Sequence, residues 1–273
     1  MSELAHLIPP LKAIVIEAGA AILDVYHADT PIEVENKSDD SPVTKADHAA
    51  HIIIDKGLKA LDTLYPVLSE EGGMTAFEAR SAWQRYWLVD PLDGTKEFIN
   101  KNDEFTVNIA LIDGAEAILG LVYVPVTGAL YYGAKDLGAW KELNGEKKQI
   151  QASPLNLGQD LTVVGSRRHG AEALDTLLKT IESRFKSINL VSMGSSLKIC
   201  ALAEGTADWY PRLALTSEWD TAAAHAVLSA AGGKIVDIDL KPLEYNQKEN
   251  ILNPFFHAVG DADFDWANLL SNH

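Results

Sequence analysis

The chain has 273 residues, 47% of them hydrophobic, and a formal net charge of −16 at pH 7. This length buries a sizeable core, enough to divide between two subdomains that share one interface. The acidic balance repels polyanions and excludes nucleic-acid wrapping as a purpose, so a phosphorylated substrate needs local positive charge, from Lys and Arg or from metal ions held by carboxylates.

The N-terminal stretch lacks a basic start and is interrupted by Glu3, Pro9, Pro10, Lys12 and Glu17, so it reads as a helix, not a signal or a membrane span. After the paired prolines, Leu11, Ile14, Val15, Ala18, Ile22 and Val25 recur at helical spacing. Residues 32–37 alternate like a strand, residues 38–42 form a polar break, and Thr44 begins a second helical pattern through Ile52, Ile53 and Leu58. Between residues 65 and 143 the texture changes to short β-rich runs separated by Gly, Pro, Asn and Asp, which predicts a largely antiparallel sheet. Beyond an Asn144-Gly145 turn, strands and helices alternate, as in an α/β unit. The expected division is therefore residues 1–150, with helices and the antiparallel sheet, and residues 151–273, with the α/β part, and a functional cleft between them.

Cys200 is the single cysteine. That precludes an intrachain disulfide or a cysteine-based zinc cage and fits a reducing compartment. It reads as a small buried hydrophobe, not a nucleophile. The expected location is the cytoplasm; no polybasic patch marks a membrane surface, although peripheral contact at the inner face of the cell membrane would leave no mark in such a sequence.

The most informative stretch runs from Trp87 through Asp90, Pro91, Leu92, Asp93, Gly94 and Thr95 to Phe98. An apolar strand delivers Asp90, Pro91 is expected to bar the strand from continuing, and Gly94 permits a turn tight enough to bring Asp93 beside Asp90. Two converging carboxylates favour a hard cation such as Mg²⁺, and the turn exposes the Leu92 carbonyl as a further oxygen. Thr95 stands where a helix starts, facing an anion with its hydroxyl and the following N–H groups. An ordinary Asp-Pro-x-Asp-Gly turn is the bland alternative. More acids stand at element ends: Glu70 and Glu71 after an apolar run, Asp47 after Val43-Thr44-Lys45-Ala46, and Asp220 after Trp219. Asp47 and Asp220 can equally complete capping boxes with Thr44 and Ser217, and the Glu pair can be a solvated loop.

Together these segments resemble the inositol-monophosphatase superfamily, whose signatures are a D-P-[LI]-D-G-[ST] loop and a later W-D before a small-residue helix. Here they stand as residues 90–95 and 219–224, with the Val-Thr-Lys-Ala-Asp segment and the Glu-Glu loop upstream in order. The resemblance implies a layered α/β/α/β/α sandwich and a site for two or three Mg²⁺ ions, held by Glu70, Asp90, Asp93, Asp220 and the Leu92 carbonyl. By the same resemblance Asp47 and Thr95 orient and deprotonate the attacking water, Glu70 belongs to the catalytic set, and lithium inhibits.

The extension DPLDGTKEF is similar to the CysQ group of 3′(2′),5′-bisphosphate nucleotidases, as are the segments at 165–169, 194–198 and 210–212. That likeness implies hydrolysis of 3′(2′)-phosphoadenosine 5′-phosphate to AMP and phosphate, in sulfate assimilation and nucleotide recycling. The expected substrate contacts are Asp93, Gly94, Thr95, His169, Ser195, Lys198, Arg212 and Asp220. A second phosphate away from the metals needs cationic donors, which Lys198 and Arg212 supply, with Ser195 one helical turn before Lys198 and His169 at the sugar-base region. An inositol-phosphate or sugar-phosphate phosphatase with the same metals is the rival enzyme, and a silent metal- or nucleotide-binding regulator the rival from another class. With no long exposed apolar stripe, the expected state is a monomer.

Overall fold

A computed structural model describes residues 3–29, 31–36, 42–165 and 171–270. The first helix, α1 (Glu3–Tyr26), starts ahead of the paired prolines, not after them, and carries Pro9 and Pro10 within it. Each proline removes a helical hydrogen bond. Leu4 and Leu7 nevertheless join Leu11, Val15, Ala18 and Ile22 in one buried stripe, and that burial holds the extra turns. A small hairpin, β1 (Val34–Asn36) with β2 (Pro42–Thr44), precedes α2 (Lys45–Lys59). Thr44 caps α2, and Ala46, Ala50, Ile54 and Leu58 form its buried line, while Ile52 faces solvent.

Next come β3 (Val67–Ser69), the one-turn α3 (Phe77–Arg80), β4 (Arg85–Asp93) and the one-turn α4 (Thr95–Ile99). The antiparallel run follows as β5 (Thr106–Asp113), β6 (Glu116–Val124), β7 (Ala129–Ala134), β8 (Gly138–Leu143) and β9 (Glu146–Ile150). Strands β3 to β9 lie side by side in chain order, β3 parallel to β4 and every later pair antiparallel. The last strand lies beyond the expected end of the β-rich run. Asn144 (φ 53°) and Gly145 (φ 81°) turn β8 into β9, whose polar, exposed residues 146–149, three of them charged, suit a sheet edge and hide the strand from a hydrophobic pattern.

The second sheet is built from β10 (Asp160–Gly165), β11 (Ser187–Ser192), β12 (Trp209–Arg212), β13 (Lys234–Asp237) and β14 (Phe256–Val259), in the order β11-β10-β12-β14-β13. Its helices are α5 (Ala171–Ile181), α6 (Leu197–Ala203), α7 (Glu218–Ala230) and α8 (Trp266–Leu270). The short β14, unmarked in the sequence reading, pairs antiparallel with both β12 and β13.

Side chains alternate across both sheets and sort the molecule into layers. Trp87, Val89, Ile109 and Leu121 pack under α1 and α2, whereas Leu88, Ala110, Val122 and Tyr131 pack against α6 and α7. Tyr210, Ile235, Phe256 and Ala258 of the second sheet close over the other side of α6 and α7. Trp209, Val163 and Val259 face outward, onto α5 and α8. The result is the expected α/β/α/β/α sandwich. Its central helix touches the first sheet: a Cβ on Gly120 would lie 2.0 Å from the Ala223 carbonyl oxygen, so only glycine admits α7 this closely.

Candidate active site

The acidic loop grows out of β4. Asp90 pairs with Asn108 and Asp93 with Thr106, so three residue steps on β4 oppose two on β5, which is a bulge. The strand therefore continues through Pro91 instead of stopping there, because the missing N–H falls where the ladder is already interrupted. The Leu92 N–H donates to Asp90 Oδ1 at 3.1 Å, and Gly94 takes φ 93° before Thr95 opens α4.

Glu70, Asp90, Leu92, Asp93, Thr95 and Asp220 line one cleft. Burial pushes the Asp90 carboxyl well above the usual carboxylate range, and the neighbouring Glu70, Asp93 and Asp220 push it further. Asp220 is raised in the same way, by burial and then by Asp93 and Glu70. Asp93 is also raised by burial, against the pull of Lys198 and of Ser196 hydrogen bonds. Crowded, desolvated, oxygen-only donors fit a hard divalent cation, whose charge would offset what burial and repulsion cost. Among the described residues, however, no group of three or more His, Cys, Asp and Glu side chains is already arranged to hold a metal ion. The donor chemistry of the cleft fits Mg²⁺.

Asp47 serves two partners. Its Oδ2 accepts from the Thr44 N–H (2.8 Å) and hydroxyl (2.7 Å), completing the capping box of α2, while its Oδ1 accepts from the Thr95 hydroxyl at 3.2 Å. Burial pushes this carboxyl up, against the Thr44 and Thr95 hydrogen bonds. Asp220 likewise caps α7, its Oδ2 accepting from the Ser217 N–H at 2.9 Å. Asp220 thus combines a capping role with a place in the cleft, and Asp47 combines one with a bond to the cleft's Thr95.

A second pocket adjoins the first. It shares Asp93, Gly94, Lys96, Glu97 and Asp220 with the acidic cleft and extends to Ser195, Lys198 and Arg212. Lys198, 7% exposed, donates to the Ser195 carbonyl at 2.7 Å and the Met193 carbonyl at 3.3 Å. Burial pulls its ammonium down to about 8, although Asp93 favours the charge. Arg212 donates to the carbonyls of Ala214 and Leu215. Ser195 does not sit on a helix with Lys198, because α6 begins only at Leu197. It takes φ 41° in the preceding loop, and its buried hydroxyl oxygen has no hydrogen-bond partner. His169 lies outside the described residues.

Sequence reasoning missed the residues that hold Asp93. Its Oδ2 accepts from the Ser196 N–H (2.7 Å), the Ser196 hydroxyl (2.8 Å), Asn108 Nδ2 (3.3 Å) and the Thr106 hydroxyl (3.4 Å). Asn108 also donates to Ser196 Oγ at 2.9 Å. The available signal was Asn108 itself, an amide midway along an otherwise apolar buried strand.

Residues 3–262 match the Inositol monophosphatase family. The chain is 51% identical over 241 residues, 88% of its own length and 94% of the relative's, to the 3′(2′),5′-bisphosphate nucleotidase CysQ of Escherichia coli K12. It is 37% identical over 265 residues to the CysQ nucleotidase of Haemophilus influenzae, covering 97% of this chain and 96% of that one. Among solved structures, CysQ from Bacteroides thetaiotaomicron superposes with a TM-score of 0.81 at 38% identity, covering 94% of this chain and 97% of the other.

Proposed function

Because the chain belongs to the inositol monophosphatase family, we propose that its cleft hydrolyses 3′(2′)-phosphoadenosine 5′-phosphate to AMP and phosphate, with Mg²⁺ as cofactor. The observation that carries this reading is the pair of adjoining pockets, one acidic and one holding Lys198 and Arg212, which share Asp93, Gly94, Lys96, Glu97 and Asp220. An ester with one phosphate has no use for Lys198 and Arg212, whereas a nucleotide with two phosphates fills both pockets.

Glu70, Asp90, Asp93, Asp220 and the Leu92 carbonyl would hold two or three Mg²⁺ ions. When bound, these supply charge neutralisation at the phosphate and acidify water. The chain's own residues do the rest. Thr95, donating to Asp47, keeps its lone pairs for the attacking water, so a proton leaving that water can pass through the Thr95 hydroxyl to Asp47. Burial raises the Asp47 pKa and so makes it a better acceptor of that proton. The Ser196, Asn108 and Thr106 donors fix one oxygen of Asp93 and leave the other to face the cleft. Lys198 and Arg212 bind the phosphate that does not react. No helix among the described residues is long and apolar enough to cross a membrane, and we place the enzyme in the cytoplasm as a monomer.

The test is phosphate release with Mg²⁺ from 3′-phosphoadenosine 5′-phosphate and from inositol 1-phosphate at matched concentrations. A large preference for the nucleotide is expected, and kcat should fall on the order of 100-fold in Asp93→Asn. Preference for the inositol ester would overturn the substrate, and wild-type turnover in Asp93→Asn at saturating Mg²⁺ would overturn the metal site.

A further inference from the structure

At the N-terminal end of α7 lies a group of buried charges that the reaction does not use. Arg80, at the end of α3, and Glu218, the first residue of α7, are both fully buried, and Asn246 is 4% exposed. Removing a guanidinium and a carboxylate from water is costly unless each is well bonded. Their bonds all converge on one loop.

Arg80 Nη1 donates to Asn246 Oδ1, and Nη2 donates to the carbonyls of Lys248 (2.9 Å) and Glu249 (2.5 Å). Asn246 returns a bond from Nδ2 to the Arg80 carbonyl at 2.7 Å, and its backbone N–H donates to Glu218 Oε2 at 2.8 Å. Lys248 Nζ stands 3.8 Å from Glu218 Oε1. The same loop grips the main chain of the α7 start: the Glu218 N–H donates to the Ile251 carbonyl at 2.9 Å, and Asn253 Nδ2 donates to the Ser217 carbonyl at 2.8 Å. Asp220 stands two residues further on, inside that gripped turn.

We propose that Arg80, Asn246 and Glu218 form a positioning network that orients the first turn of α7, and with it Asp220, for divalent-cation binding. It rests on the reading of Asp220 as a metal ligand. A network that only fastened α3 to the second half of the chain would set stability and leave cation affinity alone. One that aims Asp220 sets affinity as well.

The experiment is calorimetric titration of Mg²⁺ into the metal-stripped full-length protein, with thermal unfolding measured in parallel. Glu218→Ala and Arg80→Met should each raise the Mg²⁺ dissociation constant about tenfold. Glu218→Gln, which keeps an acceptor for the Asn246 N–H, should stay within about twofold. At saturating Mg²⁺ the KM for 3′-phosphoadenosine 5′-phosphate should not change in any of them. If Glu218→Ala does not fold, Asn246→Gly decides, since it keeps both charges and suits the φ of 58° but removes the bridge to Arg80. Wild-type affinity in the folded variants, whatever their unfolding temperatures, overturns the proposal. Asp220→Asn serves as the reference: if it too binds Mg²⁺ as tightly as wild type, the reading of Asp220 fails, and if it alone is weakened, only the network fails.

Discussion

Under the proposed function, Lys198 is the residue whose chemistry would most directly separate a bisphosphate site from a monophosphate one. Its ammonium is buried and held down to about 8, below the ordinary lysine value, so in the free enzyme the charge is present below that pH and lost above it. The kcat/KM for 3′-phosphoadenosine 5′-phosphate should therefore fall about tenfold per pH unit above roughly pH 8, since this ratio follows the free enzyme. Bound phosphate favours the ammonium, so the same limb in kcat should lie at higher pH. Adenosine 3′-monophosphate, lacking the second phosphate, should show no such limb, and Lys198→Arg should abolish it for the bisphosphate because a guanidinium stays charged. A limb common to both substrates in a pH-rate series would remove Lys198 from the phosphate contact. The lysine was legible in the sequence as one cation in a motif, but its burial was not, because that depends on Tyr210 and the Met193 and Ser195 carbonyls folding over it. Ser196 was less legible still: a hydroxyl takes its role from whatever lies opposite, and Asp93 is 103 residues away in the chain.

Among the elements, α7 bears the most on the site, since it supplies Asp220 and lies between the two sheets. Gly120 on β6 sets how closely it lies. Gly120→Ala places a methyl carbon 2.0 Å from the Ala223 carbonyl oxygen, backbone against backbone, so no side-chain rotation relieves it. The expected loss is about 1–3 kcal/mol of stability, read by urea unfolding, together with weaker Mg²⁺ activation as the helix shifts away from Asp90 and Asp93. Unchanged unfolding would mean that the sheet flexes enough to absorb the methyl. The periodicity of α2 could be read directly because one face is buried, whereas the central strands, buried on both faces, could be read only as continuous β-rich runs and α7, enclosed by both sheets, as an alanine-rich helix. Periodicity failed where another force set the boundary. Burial of Leu4 and Leu7 carries α1 across two prolines, a bulge carries β4 past Pro91, and β9 is a charged edge with almost no apolar residue to mark it.

At the scale of the whole molecule, the fold brings acids from the Glu70 loop, the Asp90–Asp93 bulge and the start of α7 into one cleft, with Asp47 bonded to its Thr95, and their order along the sequence made that convergence readable. The sequence does not show how far the carboxylates repel one another when no cation is present. Asp90 has its folded pKa raised by burial and by Glu70, Asp93 and Asp220. A carboxyl raised on folding holds its proton more tightly in the native chain, so the stability it contributes is fully present below its unfolded value, about pH 4, and is lost as pH rises through the folded value. In metal-free buffer the wild-type protein should therefore lose stability as pH rises above about 4. Asp90→Asn keeps an oxygen for the Leu92 N–H and removes the charge, so without metal it should unfold at a higher temperature than wild type at pH 8, with the gap narrowing towards pH 4. Mg²⁺ should reverse the order: at 100 times its Kd, linkage adds about 2.7 kcal/mol to the protein that binds it, and Asp90→Asn should gain much less. Thermal unfolding of both proteins across pH, with chelator and with Mg²⁺, checks both signs. If the variant were less stable than wild type without metal at every pH, the Asp90 carboxylate would be stabilised by hydrogen bonds in the empty cleft, and cation binding would not be what relieves the cluster.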